Sequence, residues 1–169
     1  MLGDRRGLRK IATGDLLRSA VKAGTDLGIK AKFYMDQGLL VPDDIILGLI
    51  EEVLASPEAQ RGIIMDGFPR TIGQAEAVGR RLAERGSRVD RVLSITVPRD
   101  ELIKRMLGRA QQQGRSDDTP KAMERRLVVY EEETAPLIAH YREEGILAEV
   151  DGVGTVEDIA SRIDQALEP

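Results

Sequence analysis

The sequence predicts an α/β fold, a parallel sheet with helices on both faces. Three observations carry this. Short apolar runs alternate with helical patterns along the whole chain, as βαβ units require. Two of those runs are apolar nearly throughout, as strands covered on both sides are. No internal repeat or low-complexity linker divides the 169 residues, so residues 1–169 form one domain.

The predicted strands are Arg9–Ala12, Gly62–Met65, Arg91–Val97 and Ile146–Val150. The helices between them announce their ends. Leu16–Ala23 has Thr13 or Asp15 as its cap and stops at Gly24. Asp26–Gln37 ends at Gly38. Asp43–Ala55 places Ile45, Ile46, Leu49, Ile50, Val53 and Leu54 on one broad face. Thr71–Glu84 runs to Gly86, and Arg99–Ala110 follows. Thr119-Pro120 opens a long helix toward Arg142, which Pro136 should kink. Thr155 and Asp158 have capping-box spacing for a last helix. Between Gln111 and Asp118 the chain is polar and contains glycine, which predicts a loop.

Composition narrows the function. A net charge of -4 gives no reason to expect nucleic acid. The absence of cysteine excludes disulfides and cysteine-ligated zinc, and the single His140 excludes a histidine metal cluster. His140 itself reads as structural or solvent-facing. The apolar runs fall far short of a membrane span. The opening MLGDRRGLRK is charged and has no apolar run, so it is no secretory signal. Cytoplasm is the expected location.

Two segments carry chemistry. In an open parallel sheet, ligands bind beyond the carboxyl ends of the strands. The run Ile63-Ile64-Met65 stops there at Asp66-Gly67, followed by Phe68-Pro69-Arg70 and, one turn on, Gln74. A strand-terminal aspartate suits the water shell of Mg²⁺, and an arginine forks a phosphate. Turn chemistry alone explains Gly and Pro here, but not the arginine with the glutamine. The second segment, Thr13 to Arg18 (TGDLLR), follows a strand and opens a helix. Alone it is better explained as a plain cap. Arg105, Arg109, Arg115 and Arg126 flank the polar loop. Arg105 and Arg109 share a helix face, which is unfavourable unless an anion lies between them. Asp151 to Thr155 reads as a tight strand-to-helix turn rather than a phosphate nest, since it lacks length and lysine.

On these motifs the chain resembles the adenylate kinases, nucleoside monophosphate kinases of P-loop type, from about Leu8 to Leu167. The resemblance implies transfer of phosphate from ATP to AMP, giving two ADP, with Mg²⁺. It implies a helical monophosphate-binding region at residues 12–41 and a short lid at residues 108–118. AMP would be met by Thr13 and Arg18, and by the backbone of Leu39, Leu40 and Val41. Gly67, Phe68, Pro69 and Arg70 would hold its base and phosphate, with Gln74 reading the adenine. Arg70, Arg115 and Arg126 would be catalytic, the last two clamping the transferring phosphates. Arg105, Arg109 and Gly154 would serve ATP, and Asp15 and Asp66 would hold Mg²⁺ through water.

One departure stands out. No Gly-x-x-x-x-Gly-Lys-Ser/Thr phosphate loop occurs in the sequence. Against the family pattern about 20 residues are missing, the size of a strand, a loop and a helix start. Residues 1–7 match only the back half of the helix that follows the loop. The expected core is thus P-loop kinase-like without its first strand, and activity should be strongly impaired. A nucleotide-binding module, or a truncated scaffold with little catalysis, remains the alternative. The lost strand would lie between Gly62–Met65 and Arg91–Val97. These two should therefore pair directly in a monomer, or take a strand from a second chain in a dimer, with direct pairing expected.

Overall fold

A computed structural model describes residues 2–113 and 117–168 of the chain. Nine α-helices and four strands are described, with a 3₁₀ turn at Pro57–Arg61 and a π-turn at Tyr130–Thr134. In order they are α1 (Leu2–Arg6), β1 (Arg9–Ala12), α2 (Thr13–Ala23), α3 (Asp26–Asp36), α4 (Asp43–Leu54), β2 (Ile63–Asp66), α5 (Ile72–Ala83), β3 (Val92–Thr96), α6 (Arg99–Gln113), α7 (Pro120–Val129), α8 (Pro136–Glu143), β4 (Leu147–Asp151) and α9 (Val156–Ala166).

All pairing is parallel, but it forms two sheets. β1 pairs with β2, from Arg9 opposite Ile63 to Ala12 opposite Asp66. β3 pairs with β4, from Val92 opposite Leu147 to Thr96 opposite Asp151. The expected direct pairing of the second and third apolar runs does not occur: β2 and β3 belong to different sheets. The helix that connects them explains why. α5 sends Val78 and Leu82 into the core beside β2, and Ala75 into a second cluster with Val92 and Leu147. Sliding the sheets together would unseat α5 from both.

The larger core lies under α2 to α5. It gathers Leu17, Ala31, Met35, Val41, Ile46, Ile50, Phe68, Val78 and Leu82. Ile46 and Ile50 are one turn apart on α4, which is why that stripe faces inward. The smaller cluster, Ala75, Leu137 and Tyr141, joins α5 to α8 under the second sheet. α1 rests on the first sheet, where Gly3 approaches the Leu8 carbonyl and the Ile64 side chain. Arg5 of α1 bridges to Asp164 of α9 at 2.9 Å.

The helix ends follow local chemistry, with two corrections. Thr71, Thr119 and Thr155 cap α5, α7 and α9, the last with a complete capping box. α2 begins at Thr13 without a side-chain cap, so neither Thr13 nor Asp15 plays the expected capping role. α6 continues through Gln113, so residues 111–113 are helical rather than loop. Glutamine is a good helix former, and three in a row extend the helix. Pro136 breaks the long helix as expected. Lacking an N–H and clashing one turn back, it leaves the Ala135 N–H to reach the Tyr130 carbonyl at 2.8 Å.

Candidate functional site

The carboxyl ends of the strands place the site. At the first sheet, Ala12 and Asp66 are register partners, so Thr13 and Gly67 emerge side by side. The buried Thr13 hydroxyl donates to the Gly67 carbonyl at 3.1 Å, tying the start of α2 to the turn after β2. That same carbonyl accepts from Arg70 Nε at 2.7 Å. Gly67 has a φ of 73°, a region that glycine enters without strain, and a Cβ there would lie 2.9 Å from an Arg70 terminal nitrogen and push the guanidinium aside. The turn is closed by the Arg70 N–H, which donates to Gln74 Oε1 at 2.8 Å. Thr134, from the π-turn, donates to the Arg70 carbonyl at 2.8 Å. Among the described residues the terminal nitrogens of Arg70 have no hydrogen-bond partner. They are the ones that would fork an anion.

Arg70 stands in a cationic neighbourhood. The residue keeps an exposed surface, yet enough protein crowds its guanidinium that desolvation lowers its pKa. Repulsion from Arg126 and Arg18 adds to this, against attraction by Asp66. The guanidinium stays charged, since arginine starts far above any working pH. Three arginines from three separate segments therefore converge.

Two aspartates answer them. Asp118, whose side chain is fully buried, accepts a fork from Arg109 at 2.8 and 3.0 Å and a further bond from Arg126. Asp117, nearly as buried, accepts from Arg126 at 2.6 Å and lies 3.7 Å from Arg18. Arg18 also donates to Asp15 at 2.6 Å. Burial works to raise the Asp118 pKa, but the guanidiniums of Arg109 and Arg126 outweigh it and hold the carboxyl below the ordinary 3.8. The doublet thus ties α6, α7 and α2 together. Sequence reasoning singled out the arginines and passed over these aspartates. The signal was an Asp-Asp pair flanked by Arg109 and Arg126 at nine and eight residues from Asp118.

The remaining candidates fall around this centre. Arg105 goes its own way, to Glu101 at 2.7 Å and the Gly152 carbonyl at 3.0 Å, so it does not share an anion with Arg109. The turn after β4 is tight and self-satisfied. Gly152 N–H bonds the Thr96 carbonyl, Val153 N–H bonds Asp151, and Thr155 N–H bonds Asp158. With those amides occupied it is no phosphate nest, as the sequence indicated, and Gly154 lies within it. Phe68 and Val41 bury their side chains in the same core, which leaves only their backbones for a ligand. Leu39 and Leu40 are half-buried beside them, and Pro69 follows Phe68 through a cis peptide. Gln74 is buried, and its amide also donates to Asp43 at 2.7 Å. Arg115 lies outside the described residues.

Asp15 and Asp66 are both exposed. Between them stands a cation that the sequence reading missed: Lys10, 2.8 Å from Asp66. Its hydrogen bond to Asp66 raises its pKa, with both carboxylates adding Coulomb attraction. Among the described residues no group of three or more side chains could cage a metal. Asp66 is engaged by Lys10 and Asp15 by Arg18, so these carboxylates would meet a cation only through its water shell. No described helix is long and apolar enough to cross a membrane.

Comparison with known proteins identifies the family. The family model described as adenylate kinase matches residues 1–146. An adenylate kinase of Caulobacter vibrioides is 48% identical over 164 residues, covering 97% of this chain and 86% of the relative. One from Xylella fastidiosa (strain M23) is 49% identical over 157 residues, covering 93% and 84%. One from Citrifermentans bemidjiense is 44% identical, covering 96% and 89%. The chain belongs to the adenylate kinase family, and its short parallel strands ringed by helices are a P-loop kinase-like fold.

Proposed function

We propose that this chain binds AMP at the Thr13–Arg18 and Gly67–Gln74 turns and transfers phosphate between ATP and AMP. The observation that carries the reading is the convergence of Arg18, Arg70 and Arg126 at the carboxyl end of the first sheet. Phosphoryl transfer needs little covalent help from a protein. It needs positioned positive charge around the phosphates. Arg70 supplies two unengaged terminal nitrogens for the AMP phosphate. Arg126 exchanges its aspartates for the transferring phosphates, a role we also assign to Arg115, and Arg109 exchanges Asp118 for ATP. The backbones of Leu39, Leu40, Val41, Phe68 and Pro69 line the base, and Gln74 has one amide hydrogen left to read it. Arg105 and Gly154 serve the ATP side. Asp15 and Asp66 would hold Mg²⁺ through water, which would supply charge neutralisation of the phosphates.

The rate we propose is low. The 169 residues contain no Gly-x-x-x-x-Gly-Lys-Ser/Thr loop to cradle a triphosphate. Loss of one well-placed donor costs about a hundredfold or more, on the order of 3 kcal/mol. The same observation favours the second reading, a nucleotide-binding module with little turnover. Titration calorimetry and a coupled ADP assay test both. AMP binding is expected, weakened about tenfold or more by Arg70→Ala, since a hydrogen bond to a charged group contributes roughly 1.5–3 kcal/mol. Residual ADP formation abolished by Arg126→Ala supports the enzyme. Binding without turnover selects the module, and a folded chain that ignores AMP overturns both.

A further inference from the structure

Gln74 is held at three points. Its backbone N–H donates to the Thr71 cap of α5 at 3.1 Å. Its side-chain Oε1 accepts from the Arg70 N–H at 2.8 Å. Its Nε2 donates to an Asp43 carboxylate oxygen at 2.7 Å. Gln74 is only 2% exposed, so the last two bonds fix a buried amide. Asp43 lies in the first turn of α4, 31 residues earlier in the chain. The two side-chain partners are opposite in kind: a backbone N–H only donates, and a carboxylate only accepts. Turning the amide over would set N–H against N–H and oxygen against oxygen, and both bonds would be lost. The two ends of this amide are therefore not interchangeable.

We propose that Asp43 is a positioning residue that sets base specificity. By fixing Gln74, it makes the site take a purine monophosphate with an amino group at the adenine position and refuse one with an oxo group there. The inference rests on the AMP site proposed above. With the amide locked, a ligand meets one N–H of Nε2 beside one remaining lone pair of Oε1. Adenine offers the complement, an exocyclic amino donor next to a ring-nitrogen acceptor. An oxopurine puts an acceptor where adenine has that donor, so two oxygens would face each other. Polar groups left unpaired in a buried site are what make such rejection strong. An unrestrained amide would evade the penalty by turning over. Asp43 closes that escape, because its carboxylate has no proton to give the turned Oε1. The Arg70 N–H opposes the turn from the other end.

Titration calorimetry of the full chain with AMP and with inosine monophosphate tests this. Wild type should prefer AMP. Asp43→Asn keeps the side chain's shape, but asparagine can accept from Nε2 or donate to Oε1, so only the Arg70 N–H still chooses. The ratio of the two affinities should fall about tenfold, the scale of one hydrogen bond to a charged group. The change should come mainly from tighter inosine monophosphate. Asp43→Ala should lower the ratio as well, which keeps the test open if Asp43→Asn misfolds. Asp44→Asn removes the neighbouring charge from the same first turn of α4 and should leave the ratio unchanged. A merely structural role for Asp43 would weaken both ligands alike and hold the ratio constant, which overturns the proposal. So does a ratio that falls equally in Asp44→Asn, or a wild type that binds the two ligands equally; both leave the AMP site standing. A folded wild type that binds neither ligand overturns the AMP site and this proposal with it.

Discussion

Asp118 concentrates the residue-scale energetics of this molecule. A fully buried carboxylate between two arginines is stable only while it is charged. Its pKa is held below 3.8, so its contribution is fully present above that value and is lost as pH falls through the lower, folded value. Asp118→Asn should therefore lower the thermal midpoint at neutral pH, by an amount worth about 3 kcal/mol. The gap between variant and wild type should close below about pH 4. Thermal melts of both proteins against pH check the sign; a gap that widened in acid would contradict it. Arg109 and Arg126 were legible in the sequence because they flank a polar loop, but Arg105, singled out with them, turns to Glu101 and Gly152 instead. The aspartate partners of Arg109 and Arg126 were not legible, since an Asp-Asp doublet also reads as solvated loop. Lys10 was missed for a related reason: nothing in β1 says that its ammonium will lie between two carboxylates from different elements.

Among the elements, those with explicit end signals were the most legible. Thr155 with Asp158 gave the start of α9, and both halves of the box are formed, at 3.1 and 3.0 Å. Nothing in α9 is fully buried, so the cap is a large part of what fixes its first turn. Thr155→Ala should cost about 1 kcal/mol in urea unfolding, with an unchanged m-value. α2 shows where such signals mislead. Thr13 looks like a cap, but the register of β1 against β2 brings its hydroxyl to the Gly67 carbonyl. Tertiary pairing, invisible in local sequence, decided the use of that side chain.

For the whole molecule, strands and their parallel sense were legible, but their partition into two sheets was not. Apolar runs announce strands without saying which edges meet. Here α5 holds two ladders on two cores of unequal size. The larger buries nine residues, the smaller three. Local opening free energies follow buried contacts, so the halves should not open together. Native-state hydrogen exchange should show amides of β3, β4 and α9 exchanging at lower denaturant than those of α4 and the second half of α5. Simultaneous exchange of both sets would mean that α5 couples the cores more tightly than their sizes imply.

The π-turn at Tyr130–Thr134 has a consequence for how the chain tolerates changes in length. A π-turn holds one residue more than an α-turn, and each helical residue advances the face by about 100°. The extra residue sets the facing of α8, so that Leu137 and Tyr141 meet Ala75 while Thr134 still reaches Arg70. Removing a residue from the exposed stretch Glu131–Glu133 would swing α8 by about 100° relative to α7. A deletion among three surface glutamates should then be more damaging than replacing all three by alanine. Comparing the melting of the deletion with that of the triple substitution would show it. Substitution tolerance and deletion tolerance part company here, so surface exposure is a poor guide to where this chain can be shortened.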